Sequence, residues 1–176
     1  MKNIRFITMM SVFIAIGTIG ASFLWFPAGV AKAYPVQHAI NVIAAITLGP
    51  LPGVIIAFMT SLIRNMLGLG TILAFPGAMC GAFLAGILYK WFRNKGAAFI
   101  GEVFGTSVIG GLTAVPLAYA LMGSATGVFA FMPAFFISSI TGAIIGVIVA
   151  ERVRKLLPVE YGQWKSHQSL SSTHSK

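Results

Sequence analysis

The chain has 176 residues, of which 57% are hydrophobic and only 9% charged, with a formal net charge of +9. A soluble domain carries about a quarter charged residues to keep its surface wetted. A water-exposed globule is therefore excluded, and the solvent for most of the chain must be lipid. The single cysteine, Cys80, excludes an internal disulfide and a multi-cysteine metal site.

Along the chain, Lys2 and Arg5 precede an apolar run over residues 6–26. That run is longer than a signal-peptide core and has no early small-x-small cleavage site, so it reads as a first membrane helix. Ala31-Lys32-Ala33 mimics such a site, but cleavage there would still leave five spans. A polar patch over residues 32–38 leads into a second, shorter run over about residues 36–48. Gly49-Pro50-Leu51-Pro52-Gly53 then reads as a turn. A third run follows over about residues 53–67, stopped by Gly68-Leu69-Gly70. Runs over about residues 72–91, 97–121 and 128–150 complete the pattern. Stretches of roughly twenty apolar residues cross a bilayer, and the sequence predicts an all-α integral membrane bundle of six transmembrane helices over residues 1–157. The Ser-, Gln- and His-rich stretch 158–176 reads as a disordered cytoplasmic tail.

Lys and Arg collect in cytoplasmic loops. With six spans, one side holds Lys2, Arg5, Lys90, Arg93, Lys95, Arg152, Arg154, Lys155, Lys165 and Lys176, and the other only Lys32 and Arg64. Both termini are thus expected in the cytoplasm of a multi-pass cell-membrane protein. The basic residues sit scattered at helix ends, which suits anionic lipid and not a nucleic-acid groove.

Catalytic signatures are absent. There is no phosphate-binding G-x-x-x-x-G-K-[ST], no G-x-S-x-G elbow and no H-E-x-x-H zinc motif, so neither enzyme chemistry, a cofactor nor a metal is expected. Only three acids occur, Glu102, Glu151 and Glu160. Glu102 is expected near the cytoplasmic start of the fifth helix, where its charge suits the helix N-terminus and Arg93 or Lys95 can pair with it.

The polar residues at membrane depth gather on the outer side. Lys32, Tyr34, Gln37, His38 and Asn41 lie in the first external loop and the start of the second helix, with His38 and Asn41 on one face. Arg64 and Asn65 end the third helix, and Thr71 follows. Tyr119 and Pro116 lie at the outer end of the fifth helix. Phe129, Phe131, Pro133, Phe135 and Phe136 lie at that of the sixth, with Ser138 and Ser139 a turn deeper. Aromatic walls with a few convergent donors and acceptors make a small-molecule pocket. The candidate substrate-binding residues are Tyr34, Gln37, His38, Asn41, Arg64, Asn65, Tyr119 and Phe135. Each has a structural alternative: Arg64 as a snorkelling cation, His38 and Asn41 as interhelical glue, the aromatics as an interfacial belt.

Small residues recur at four-residue spacing: Ser11 and Ala15, Gly17 and Ala21, Gly77 and Gly81, Gly101 and Gly105, Gly142 and Gly146. Such pairs let helix backbones approach closely. Ser11 and Ala15 are the pair expected to face an outside partner, and the others are expected to pack within the bundle.

Three linked strings carry a resemblance: P-V-Q-H-A-I-N from Pro35, L-G-P-L-P-G from Leu48, and I-R-N-M-L-G-L-G-T-I-L-A-F-P-G-A from Ile63, with G-E-V-F-G-T from Gly101 in support. Over about residues 5–155 the chain resembles the ThiW family. Its members are S components of energy-coupling factor transporters, assigned to hydroxyethylthiazole, the thiazole precursor of thiamine. The resemblance implies a six-helix S component with its ligand near the outer face under the first external loop. It also implies a transmembrane coupling subunit, to which the first helix presents small residues such as Ser11 and Ala15, and two cytoplasmic ATPases. The alternative is a proton-coupled secondary transporter of a small metabolite, with Glu102 as the coupling group.

Overall fold

The computed structural model describes residues 2–28, 31–123 and 131–156. Six helical rods follow one another. They are α1 (Lys2–Phe23), α2 (Pro35–Thr47), α3 (Pro50–Met66), α4 (Ala74–Phe92), a fifth rod, and α7 (Met132–Leu156). The fifth is built from α5 (Lys95–Phe104), a π turn (Gly105–Ile109) and α6 (Gly110–Met122). Between α1 and α2 the strands β1 (Phe26–Ala28) and β2 (Ala31–Ala33) pair antiparallel, with Pro27 opposite Lys32. The rods match the all-α expectation, and this hairpin is the departure from it. Residue 128, where the last run was expected to begin, and the tail after 157 lie outside the described residues.

Local chemistry sets the helix ends. The expected turn at residues 49–53 is mostly helix, because α3 starts at Pro50. Proline costs nothing at a first helical position, where its missing N–H would have no partner. Gly49 takes φ 100 just before it, a conformation open to glycine. At the next turn, left-handed Arg93 closes α4, and the Asn94 side chain caps α5 by accepting the Gly96 N–H at 2.8 Å.

Three stretches, Ile4–Phe23, Lys95–Leu121 and Met132–Lys155, are long and apolar enough to cross a membrane. The distribution of side chains says the same. The buried apolar set is dominated by alanines, whereas Ile4, Ile7, Ile16 and Phe23 of α1 and Ile144 and Ile148 of α7 are exposed. A soluble surface does not carry apolar area on that scale; a lipid-facing one does. This is a membrane protein.

At the centre stands α2. Every residue from Gln37 to Thr47 is buried, packed among α1, α3, α4, α5 and α7. Such crowding requires bare backbone at the crossings. A Cβ added at Gly142 would lie 2.3 Å from the Pro35 carbonyl oxygen, and one at Gly146 2.8 Å from that of Ala39. Gly101 of α5 rests within 2.6 Å of the Leu84 and Ala85 backbone by the same measure, and Gly110 within 2.5 Å of Gly77. Gly17 abuts Thr60, and Ala21 is buried. These small residues therefore pack inside the bundle. Ser11 and Ala15 are exposed on α1.

Gly101→Ala should destabilise the protein by about 1–3 kcal/mol, the usual cost of overpacking a fixed backbone contact. Gly96→Ala, which meets only the Asn94 side chain, should be neutral or better. Thermal unfolding in detergent compares the two, and equal midpoints would contradict the close α4–α5 approach.

Candidate functional site

The helix ends that surround one cavity are the C-terminal ends of α1 and α3 and the N-terminal ends of α2, α4 and α7. The cavity has a volume of about 620 Å³. Trp25, Pro27 and Lys32 of the hairpin region line it from above, with the Lys32 ammonium 4.0 Å from the centre of the Trp25 ring. Phe131 and Phe135, stacked at 6.4 Å, form one wall. The loop 68–71 and the first turns of α4 form another, and His38, Ala78 and Thr106 lie at the bottom.

Two polar assemblies are built into this cavity. The upper one centres on Arg64, whose side chain is only 1% exposed. It donates to the Gln37 side-chain oxygen and to the Leu69 carbonyl at 3.0 Å, and it lies 3.8 Å over the Tyr34 ring. Gln37 in turn donates to the Ser61 hydroxyl at 2.9 Å. The Tyr34 N–H donates to the Ser138 hydroxyl at 2.7 Å, which fixes the hairpin's exit against α7. Arg64 is thus tied into α2, the 68–71 loop and the hairpin exit, and does not snorkel to the interface.

The lower assembly centres on Glu102, which is fully buried. Its Oε1 lies 2.8 Å from His38 Nδ1, and it also accepts from the Asn41 amide at 3.1 Å and the Thr106 hydroxyl at 3.2 Å. Asn41 and Thr106 are in addition within 3.2 Å of the Ala78 and Gly77 carbonyls of α4. The contact engages Nδ1 of the ring, and among the described residues no hydrogen bond engages Nε2. The π turn helps to place Thr106. Gly110 N–H reaches back five residues to the Gly105 carbonyl, and single π turns of this kind often mark functional sites.

Of the residues expected to form a site, Tyr34, Gln37, His38, Arg64 and Phe135 line the cavity, as do Lys32, Thr71, Phe131 and Ser138. Asn41 sits one layer below, holding Glu102. Asn65 turns back to the Ser61 carbonyl at 3.1 Å and does not line the cavity. Tyr119 is 70% exposed on the outside of α6. It shares the depth of the cavity but faces the other way around its helix. Glu102 pairs with neither Arg93 nor Lys95. It lies two helical turns into the rod, past the buried Ala98, and Lys95 instead bonds Glu151. The hairpin residues Trp25 and Pro27, the α4 backbone at Gly77 and Thr106 of the π turn were not anticipated. Among the described residues no cluster of three metal-ligating side chains exists.

A largely apolar cavity between the ends of lipid-facing helices, with a few polar and ionic groups buried in its wall, has the form of a small-molecule site in a membrane protein. Residues 7–156 match the family of thiamine-precursor transporter proteins (ThiW), and the chain belongs to that family. That family is one of thiamine-precursor transporters and not a family of enzymes. A comparison with curated proteins returns no match.

Removing the common acceptor should matter more than removing its charge. Glu102→Leu should cost several kcal/mol, because buried His38 loses its partner and Asn41 and Thr106 are left with only the α4 carbonyls. Glu102→Gln retains an oxygen for His38 and should cost less. Unfolding midpoints of the two variants in detergent check the order.

Proposed function

We propose that this chain is the substrate-binding S component of an energy-coupling factor importer and captures hydroxyethylthiazole at the outer face of the cell membrane. All six rods cross the membrane in this reading, with both termini in the cytoplasm. The membrane domain is residues 1–157, and 158–176 form a cytoplasmic tail. The cavity end carries Lys32 and Arg64. The opposite end carries Lys90, Arg93, Lys95, Arg152, Arg154 and Lys155, the asymmetry expected of an outer and a cytoplasmic side. A transmembrane coupling subunit meets the exposed Ser11 and Ala15 on α1, and two cytoplasmic ATPases supply the energy.

The observation that carries the binding role is the pairing of a flat aromatic wall, Phe131 and Phe135, with a His38 ring held rigidly by Glu102. An aromatic thiazole packs against the former. Its hydroxyl or ring nitrogen meets Nε2 of the latter, which donates or accepts according to its protonation. Asn41, one layer down, steadies the dyad. Tyr34, Gln37 and Arg64 close the other end.

Hydroxyethylthiazole added to the purified protein should change the Trp25 emission and give a calorimetric signal. His38→Ala should weaken binding about tenfold or more, the worth of a buried hydrogen bond to a charged or rigidly held group. Tyr119→Ala should leave it unchanged. Tight binding of an unrelated vitamin, with none of the thiazole, would overturn the substrate.

A second reading, a proton-coupled carrier, draws on one observation: Glu102 is a carboxylate buried at membrane depth, and its Oε2 has no hydrogen-bond partner. Such groups serve proton relays. Uptake that persists without any ATPase and vanishes in Glu102→Gln would favour it, whereas co-purification with a coupling module and loss of uptake without ATP favour the first.

A further inference from the structure

Arg64 carries a charge that its surroundings leave unanswered. Among the described residues its partners are the Gln37 amide oxygen, the Leu69 carbonyl and the Tyr34 side chain, and none is an acidic group. Its Nε is buried and has no hydrogen-bond partner among the described residues. Neither of the two described carboxylates answers it. Glu102 is taken by His38, Asn41 and Thr106, and Glu151 by Lys95 at the far end of the bundle. Lys32 adds a second cation to the lining of the same cavity, resting on Trp25.

A guanidinium removed from water needs an anion or a full set of acceptors to offset its lost hydration. Among the described residues Arg64 has neither, yet it lines the cavity. Its planar fork matches a carboxylate or a phosphate. We infer that the preferred occupant of the cavity carries an anionic group, carboxylate or phosphate, against Arg64, with Lys32 adding charge nearby. Its uncharged ring then points toward Phe135 and His38. The inference rests on the thiazole reading above and refines it: the best ligand is an acidic or phosphorylated thiazole, and the free alcohol is a weaker one. The cavity volume of about 620 Å³ lies within the range of sites for drug-sized ligands and accommodates both parts.

The test uses the intact purified protein and three probes: hydroxyethylthiazole, its phosphate ester, and 4-methylthiazole-5-acetate, titrated at constant ionic strength. One of the anions should bind at least about tenfold more tightly than the alcohol, as charge-assisted hydrogen bonds allow. Which of them does so tells phosphate from carboxylate. Arg64→Gln should erase the preference and Arg64→Lys should keep part of it. Equal affinities, or tighter binding of the alcohol, overturn the inference and leave the thiazole reading standing. No binding of any probe overturns both. A preference undiminished in Arg64→Gln removes Arg64 from the anion site. The three-probe comparison is made on the unaltered protein, so it holds even if a variant fails to fold.

Discussion

Glu102 is a carboxylate that solvent does not reach, and three donors from two rods converge on one of its oxygens. In a membrane interior a lone carboxylate would be neutralised or expelled. Its presence therefore obliges α2 to bring His38 and Asn41 to it, and the fifth rod to turn Thr106 the same way. Asn41 and Thr106 extend the obligation to α4, whose carbonyls at Ala78 and Gly77 are their second contacts. Three rods are thus held at one depth by one side chain. The bottom of the cavity is the upper surface of that junction, which is why His38 presents a fixed ring edge and not a mobile one.

Close approach makes the junction possible. Glu102 and Thr106 fit only because Gly81 opposite them has no side chain; a Cβ there would fall 2.3 Å from the Thr106 hydroxyl and 2.8 Å from Glu102 Oε2. Gly101 and Gly105 do the same for the backbone of α4. Polar satisfaction and small-residue packing are one device here: glycines let the rods approach, and the carboxylate gives them something to share. In lipid, where apolar burial does not drive helices together, both contributions are needed.

Much of this was legible from the residues, and the failures have a common cause. Hydropathy and the charge bias gather Tyr34, Gln37, His38, Arg64 and Phe135 at one end, and the structure brings all five to one cavity. Depth says nothing about direction around a helix. Tyr119 has the right depth and the wrong azimuth, and Asn65, next to Arg64, points back along its own helix. Glu102 was misread because charged residues near a predicted helix start usually serve that end. The buried ring of partners that takes it inward comes from a distant part of the chain. The Phe26–Ala33 hairpin left no signal, since three-residue strands of Ala, Pro and Lys carry no alternation to detect. The π turn is likewise set by packing between Gly77, Gly81, Gly105 and Gly110, which no local propensity announces.

The shortness of α2 has a bearing on how far a solute must travel. At 13 residues it measures about 20 Å, against roughly 30 Å for a hydrocarbon core. His38 is its fourth residue, so the segment from Ala39 to Thr47 beneath it amounts to about 14 Å of helix. In the proposed reading, with every rod crossing the bilayer and the cavity outside, a molecule resting on His38 would already lie well within the insulating layer. Below it lie the Ala, Ile and Val side chains of α2 packed against the glycines of α7, interrupted by Asn41 at the Glu102 junction and by Thr47. On that reading the barrier to permeation is short, and its thickness is set by the length of one buried helix.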